Sequence, residues 1–180
     1  MSKKLLRKKI LSYRKNNYNN LTLKYCLLKN ILKKLNLSRN IKIGGYVPIN
    51  YEIDSLIILK QLEKSGYKIS LPITSKGNKM DFFEWSSKEP LLVGKIGIPE
   101  PLPKKKVYPD ILLVPLLAFN KYKFRLGYGG GYYDRYIQKM KKIKKIFTIG
   151  MAFSFQEVSS LPISEHDKKL DFIFTEDCIK

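Results

Sequence analysis

The sequence predicts an α/β fold built on a central, mostly parallel sheet flanked by helices. Three observations lead there. Apolar runs of strand length alternate with stretches whose apolar residues recur at helical spacing. One run, DILLVPLLAF from Asp110 to Phe119, is apolar almost throughout, as a strand covered on both faces would be. Next come a glycine-rich loop and a helix, in the segment FRLGYGGGYYDRY from Phe124 to Tyr136. A chain of 180 residues suits one domain, taken as residues 1–180, with a substantial core.

The elements follow in order. Residues 2–16 place Leu5, Leu6, Ile10 and Tyr13 on one helical face with basic residues opposite. After a polar break at Asn16–Asn20, residues 21–37 form a second amphipathic helix, with Leu21, Cys26, Leu28, Ile31, Leu32 and Leu35 on its apolar face. KIGGYVPI, Lys42 to Ile49, is a short buried strand. Asn50 is placed to cap a helix over Tyr51–Lys64, with Glu52 and Asp54 in a first turn that favours acids, and Gly66 stops it. KISLPIT and MDFFEW read as a hairpin around Ser75–Asn78. Gly94–Pro109 carries four prolines and reads as a surface loop. Tyr133, Tyr136, Ile137 and Met140 mark the helix after the glycines, IFTIGMAF is another buried strand, and LDFIFTE closes the sheet.

Net charge is +20, which raises the question of nucleic acid. Yet only five of the 35 basic residues are Arg, at positions 7, 14, 39, 125 and 135. The abundance of Lys, Asn, Ile, Tyr and Phe fits an AT-rich coding bias, and scattered lysines describe a solvated basic surface better than a nucleic-acid face. A positive field still draws anionic ligands such as nucleotides. Cys26 and Cys178 with a single histidine make no zinc site, and both read as free thiols; a cysteine nucleophile paired with His166 is the lesser alternative. No apolar run reaches the roughly 18–20 residues of a membrane span, and the basic N-terminus does not resemble a signal peptide, so a cytoplasmic location is expected.

Four of the eleven glycines lie within Gly127–Gly131. Strand, glycine loop and helix together suit an anion: glycines let backbone N–H groups approach it, and the helix N-terminus adds unpaired donors. Neither the P-loop pattern nor the dinucleotide fingerprint fits the spacing. A tight turn needing positive φ is the plain alternative. Asp134, one turn into the helix, favours phosphate, because a carboxylate there can hold Mg²⁺ against bound phosphates.

The segment VPLLAFNKYKFRLGYGGGYYDRYI closely resembles the signature of the 5-formyltetrahydrofolate cyclo-ligase (5,10-methenyltetrahydrofolate synthetase) family. KKLLRKKI, YVPINYEID, GIPEP and GMAFSFQEVSSLPISEHDKKLDFIFTE resemble further family blocks in the same order. The resemblance implies a three-layer, Rossmann-like relative. It also implies an ATP-dependent enzyme that phosphorylates the formyl oxygen of 5-formyltetrahydrofolate. N10 then displaces phosphate from the iminium phosphate, giving 5,10-methenyltetrahydrofolate, ADP and phosphate. Carried over by position, Lys3, Lys4, Arg7 and the run Arg125, Leu126, Gly127, Tyr128, Gly129, Gly130, Gly131, Tyr132 and Tyr133 contact ATP. Arg125, Tyr132 and Asp134 are catalytic, and Asp134 and Asp167 hold Mg²⁺, with Asp171 a weaker candidate. Val47 and Glu52 contact the folate, which would lie across the opposite strand ends from the nucleotide. Met80, Phe82 and Trp85 either wall the pterin or fill core, core being favoured for at least two. His166 would orient Asp167.

Members of the family usually carry Asp where this chain has Asn120, and Gly where it has Lys123, so an altered turn is expected there. The expected partners are the two substrates, without membrane or nucleic acid, and a monomer is expected. The alternatives are a basic RNA-binding protein and a sugar-phosphate or nucleotide-binding isomerase of related architecture.

Overall fold

The computed structural model describes residues 2–18, 25–35, 40–165 and 167–180. Cys26's side chain and His166 lie outside what is described, so the readings placed on them do too. In chain order the elements are helix α1 (Lys3–Asn17), α2 (Tyr25–Lys34), strand β1 (Lys42–Gly44), α3 (Ser55–Lys64), β2 (Lys68–Ser75) and β3 (Lys79–Glu84). Three two-residue strands follow, β4 (Leu92–Val93), β5 (Pro99–Glu100) and β6 (Lys106–Val107). The chain continues through β7 (Ile111–Pro115), β8 (Ala118–Phe119), β9 (Arg125–Leu126), α4 (Tyr132–Ile143), β10 (Phe147–Met151) and β11 (Phe172–Phe174).

The main sheet has the order β11-β10-β7-β1-β2-β3-β6. Its first five strands run parallel, and β3 and β6 are antiparallel additions at one edge. The apolar run of β7 splits by strand alternation. Ile111 and Leu113 pack with α2 and α3 on one face, and Leu112 and Val114 pack with α4 on the other. This makes three layers. A third cluster seats Leu6 and Ile10 of α1 against Leu117, Ala118 and Leu126 beyond the end of β7. The helices place α1 and the loops after β1 and β7 above the C-terminal strand ends, where open α/β sheets hold ligands.

The expected helix at Tyr51–Lys64 begins late. Asn50 and Tyr51 have φ of 48° and 62°, left-handed values that no helix continues. Asp54 is the cap instead, its Oδ1 accepting the N–H groups of Leu56 at 2.8 Å and Ile57 at 3.4 Å. Glu52 is therefore not a first-turn acid but a buried residue of the loop. The proline-rich segment is not wholly loop: β4 pairs with β5, and β6 with β3.

The turn carrying the two departures from the family pattern is intact. Lys123 takes the left-handed conformation itself, with φ of 64°, at a cost of about 1 kcal/mol. Asn120 is buried, and its Oδ1 accepts the N–H groups of Tyr122 and Phe124, each at 3.1 Å. An amide oxygen meets both donors as a carboxylate would. Replacing Asn120 by Ala strands two amide donors and is expected to cost about 2 kcal/mol. Asn120→Asp should keep most of the stability; urea denaturation of the two variants measures the difference.

Candidate active site

The loop after β1 is fixed by its own polar groups. Tyr46 donates its N–H to Ser55 Oγ at 3.1 Å, and Ser55 donates back to the Tyr46 carbonyl. The Tyr46 hydroxyl donates to the Ile53 carbonyl at 2.8 Å. Between these anchors, the left-handed Asn50 and Tyr51 turn the chain so that Glu52 folds inward. Its Oε2 accepts the Ile49 N–H at 2.9 Å, while Oε1 is buried with no hydrogen-bond partner among the described residues.

Opposite stands the glycine loop, launched by the β8–β9 hairpin. Gly129 and Gly131 have φ of 106° and 66°, so both need the freedom glycine has. Gly131 is the N-cap of α4 and offers no side-chain cap, which leaves the first amides of α4 open to an anion. Arg7 braces the loop, its Nε donating to the Gly127 carbonyl at 2.8 Å, and a Cβ on Gly129 would sit 3.3 Å from its Cζ. Arg135 donates to the Gly130 carbonyl.

Two ion pairs close the far side. Arg125 Nη2 donates to Asp134 Oδ1 at 2.7 Å, and Nη1 to the Lys168 carbonyl at 3.0 Å. Lys3 Nζ donates to Asp167 Oδ2 at 2.6 Å, and the same oxygen accepts from the Ser164 amide at 2.7 Å. Burial alone would raise the Asp167 carboxyl, but the Lys3 and Ser164 hydrogen bonds outweigh it and hold the group below the ordinary carboxylate range.

These loops and ion pairs border one cavity of about 610 Å³. Its walls include Lys3, Arg7, Val47 and Glu52, every residue from Arg125 to Asp134, and Asp167. Lys4 is not among them; it lies on the exposed side of α1. Val47 and Glu52 were expected across the opposite strand ends from the nucleotide loop. They follow the C-terminal end of β1, on the same side as the glycine loop, because parallel strands put both following loops at one end. Of the three candidate pterin walls Met80 lines the cavity, whereas Phe82 and Trp85 are core. Asp171 is structural: its Oδ2 takes the Thr148 N–H at 2.8 Å and binds β10 to the entry of β11.

Burial pushes the Glu52 carboxyl from 4.5 up to about 7, against the pull of the Ile49 amide, the Arg14 charge and the Tyr128 hydroxyl. Burial and the neighbouring Glu52 charge raise Tyr128 to about 12, so its hydroxyl keeps its proton. The cavity thus has a cationic end rich in amide donors and, elsewhere on its wall, a buried acid among tyrosines.

Residues 1–176 match the model of the 5-formyltetrahydrofolate cyclo-ligase family. The chain belongs to that family. The 5-formyltetrahydrofolate cyclo-ligase of Escherichia coli K12 is 33% identical over 141 residues, covering 74% of this chain and 76% of that one. The solution structure of Aquifex aeolicus 5,10-methenyltetrahydrofolate synthetase superposes with a TM-score of 0.76 at 30% identity, over 100% of this chain and 92% of that chain. The Mycoplasma pneumoniae 5,10-methenyltetrahydrofolate synthetase gives a TM-score of 0.70 at 25% identity, over 98% and 99%. As a family member the chain is an enzyme of the cyclo-ligase class, and neither the RNA-binding nor the isomerase alternative has a counterpart in these matches. No helix among the described residues is long and apolar enough to cross a membrane.

Sequence reasoning did not single out two residues of the cavity wall, Glu100 and Arg135, or Arg14 behind it. Arg14 is 1% exposed and donates to the Leu116 carbonyl at 3.1 Å and to the Tyr128 oxygen. Glu100, buried at the cavity wall, accepts the Thr74 N–H at 2.8 Å. Arg135 lines the cavity beside Gly130. A signal for two of them was in the composition: in a chain that writes its cations as Lys, a retained Arg marks a place where the planar fork is needed.

The raised Glu52 pKa fixes the sign of a pH effect. A carboxyl whose folded value lies above its unfolded one favours the fold fully below pH 4.5, and this advantage is lost as pH rises through about 7. Glu52→Gln cannot titrate, so its stability should gain on the wild type as pH rises, by up to about 3 kcal/mol. Urea midpoints of both proteins at about pH 5 and about pH 8 check this.

Proposed function

We propose that the chain closes 5-formyltetrahydrofolate to 5,10-methenyltetrahydrofolate at the expense of ATP, releasing ADP and phosphate. One observation carries the reading: a single cavity joins an uncapped, cation-ringed helix N-terminus to a buried carboxylate with an unpartnered oxygen. The first suits phosphates and the second suits the N–H donors of a pterin ring. Family membership supports the folate as substrate, and the ligase class supports ATP as its partner.

In this reading the nucleotide phosphates lie on the amides of Gly129–Tyr133, with Lys3 and Arg7 on α1 and Arg125 below the loop neutralising charge. Gly130 gives the Tyr132 ring room, since a Cβ there would meet it at 2.8 Å. Val47 and Glu52 hold the folate so that its formyl oxygen reaches the γ-phosphoryl group. Phosphoryl transfer to that oxygen makes it a leaving group. N10 then bonds to the formyl carbon, the C–O bond breaks with its electrons going to phosphate, and N10 loses its proton. Positioning and charge neutralisation carry such a step, because the formyl oxygen is a weak nucleophile.

The donor set also suits Mg²⁺. Asp134 is engaged through Oδ1 and Asp167 through Oδ2, so each keeps a second oxygen for a cation, and both residues line the cavity. Two carboxylates would leave Mg²⁺ to take its remaining ligands from phosphate and water. Bound there, Mg²⁺ would neutralise charge on the transferring phosphates. The cavity is complete within one chain, in keeping with an active monomer.

Purified protein given MgATP and 5-formyltetrahydrofolate should form the methenyl chromophore, and omission of ATP should abolish it. Product formed equally without ATP would overturn the reading. Arg7→Ala should raise the KM for ATP by about tenfold or more and leave the folate KM within about twofold. A parallel rise of both constants would remove Arg7 from the nucleotide end.

A further inference from the structure

Arg14 is the most deeply buried cation described, and it lies outside the nucleotide end of the cavity. It stands two turns along α1 from Arg7, and both of its amino groups are committed: Nη1 to the Leu116 carbonyl at 3.1 Å, Nη2 to the Tyr128 oxygen. Its guanidinium carbon is also 5.9 Å from the centre of the Tyr128 ring. A phenol has one proton to give, and an oxygen already accepting from a guanidinium has its own O–H directed away from that donor. Tyr128 and Glu52 line the same cavity, where Glu52 Oε2 is held by Ile49 and Oε1 is unpartnered among the described residues.

We propose that Arg14 is a positioning residue for folate recognition. By donating to the Tyr128 oxygen it turns the Tyr128 O–H away from α1 toward the cavity that Glu52 shares, and its charge favours Glu52 as the carboxylate that accepts from the substrate. The inference rests on the folate assignment of Glu52 made above and goes beyond it by naming what sets that residue's charge. The groups facing Glu52 are Arg14 from α1, Tyr128 from the glycine loop, Tyr133 from α4, and Tyr46 from its own loop. Arg14 is the one cation among them. Burial drives Glu52 toward the neutral form, which would offer a proton where an acceptor is needed; the charge and the hydroxyl oppose it. A lysine would not serve as well, because one ammonium cannot reach the Leu116 carbonyl and the Tyr128 oxygen with a planar fork.

The test has two readouts. In ligand-free protein, carbon-13 NMR of the Glu carboxyls, with Glu52→Gln to assign the signal, should show Glu52 titrating near 7 in the wild type. Arg14→Gln and Tyr128→Phe should each move that midpoint upward by about half a unit or more. Arg14→Lys should recover most of it by restoring the charge. In the turnover assay the same variants should raise the folate KM by about tenfold while the ATP KM changes far less. The first readout needs no turnover, so a failed reaction assignment and a failed Arg14 assignment are separable. Should Arg14→Gln not fold, Tyr128→Phe decides, because it leaves Arg14 in place. An unmoved Glu52 midpoint in the folded variants, or equal rises in both KM values, would reduce Arg14 to a packing residue.

Discussion

Arg125 carries its charge on a side chain only 4% exposed, and a cation so placed must be met by acceptors where it lies. One acceptor is Asp134, in the first turn of α4; the other is the carbonyl of Lys168, in the segment that leads to β11. These segments are 34 residues apart, and the Lys168 amide closes the triangle by donating to Asp134 Oδ1 at 3.4 Å. Asp167 is the residue before Lys168. Holding Lys168 against Arg125 therefore brings Asp167 to the cavity that Asp134 already faces. The two acids assigned to the metal converge because one buried guanidinium needs both of their segments.

Helix α1 completes the cavity by a similar route. It packs through Leu6 and Ile10, but its position is set by cations that bond to the glycine loop and its surroundings: Lys3 to Asp167, Arg7 to the Gly127 carbonyl, Arg14 to Leu116 and Tyr128. The Arg14 bonds satisfy donors that would otherwise be stranded in the interior, whereas Lys3 and Arg7 are half-buried. The same helix thus touches the nucleotide end and the acid end. Of the +20 charge, the part that works in the site is a few residues held by geometry, while most lysines sit on the outer surface.

Much of this was legible in the sequence. The apolar run of Asp110–Phe119 reads as a strand covered on both faces, and the helix at Tyr132 announces itself by Tyr136, Ile137 and Met140. The glycine loop was readable because positive φ and close approach demand glycine. The start of α3 was misread because Asn50 and Asp54 are equally good caps by type, and nothing local reveals that Asn50 and Tyr51 turn left-handed. Family resemblance singled out Glu52 as a candidate folate contact, but its burial and unpartnered oxygen depend on segments distant in sequence. The residues expected to hold the two substrates at opposite strand ends lie at one end of the sheet for a topological reason. Loops that follow parallel strands emerge at one end, and strand order is set by pairings no local pattern encodes.

The central claim is that this one cavity brings the γ-phosphoryl group of ATP to the formyl oxygen of the folate. The direct measurement follows that oxygen. With 5-formyltetrahydrofolate carrying oxygen-18 in the formyl group, phosphorus NMR of the products should find the label in inorganic phosphate, in step with methenyl formation. Label released to water, with unlabelled phosphate, would mean that the oxygen leaves without being phosphorylated, and would contradict the account.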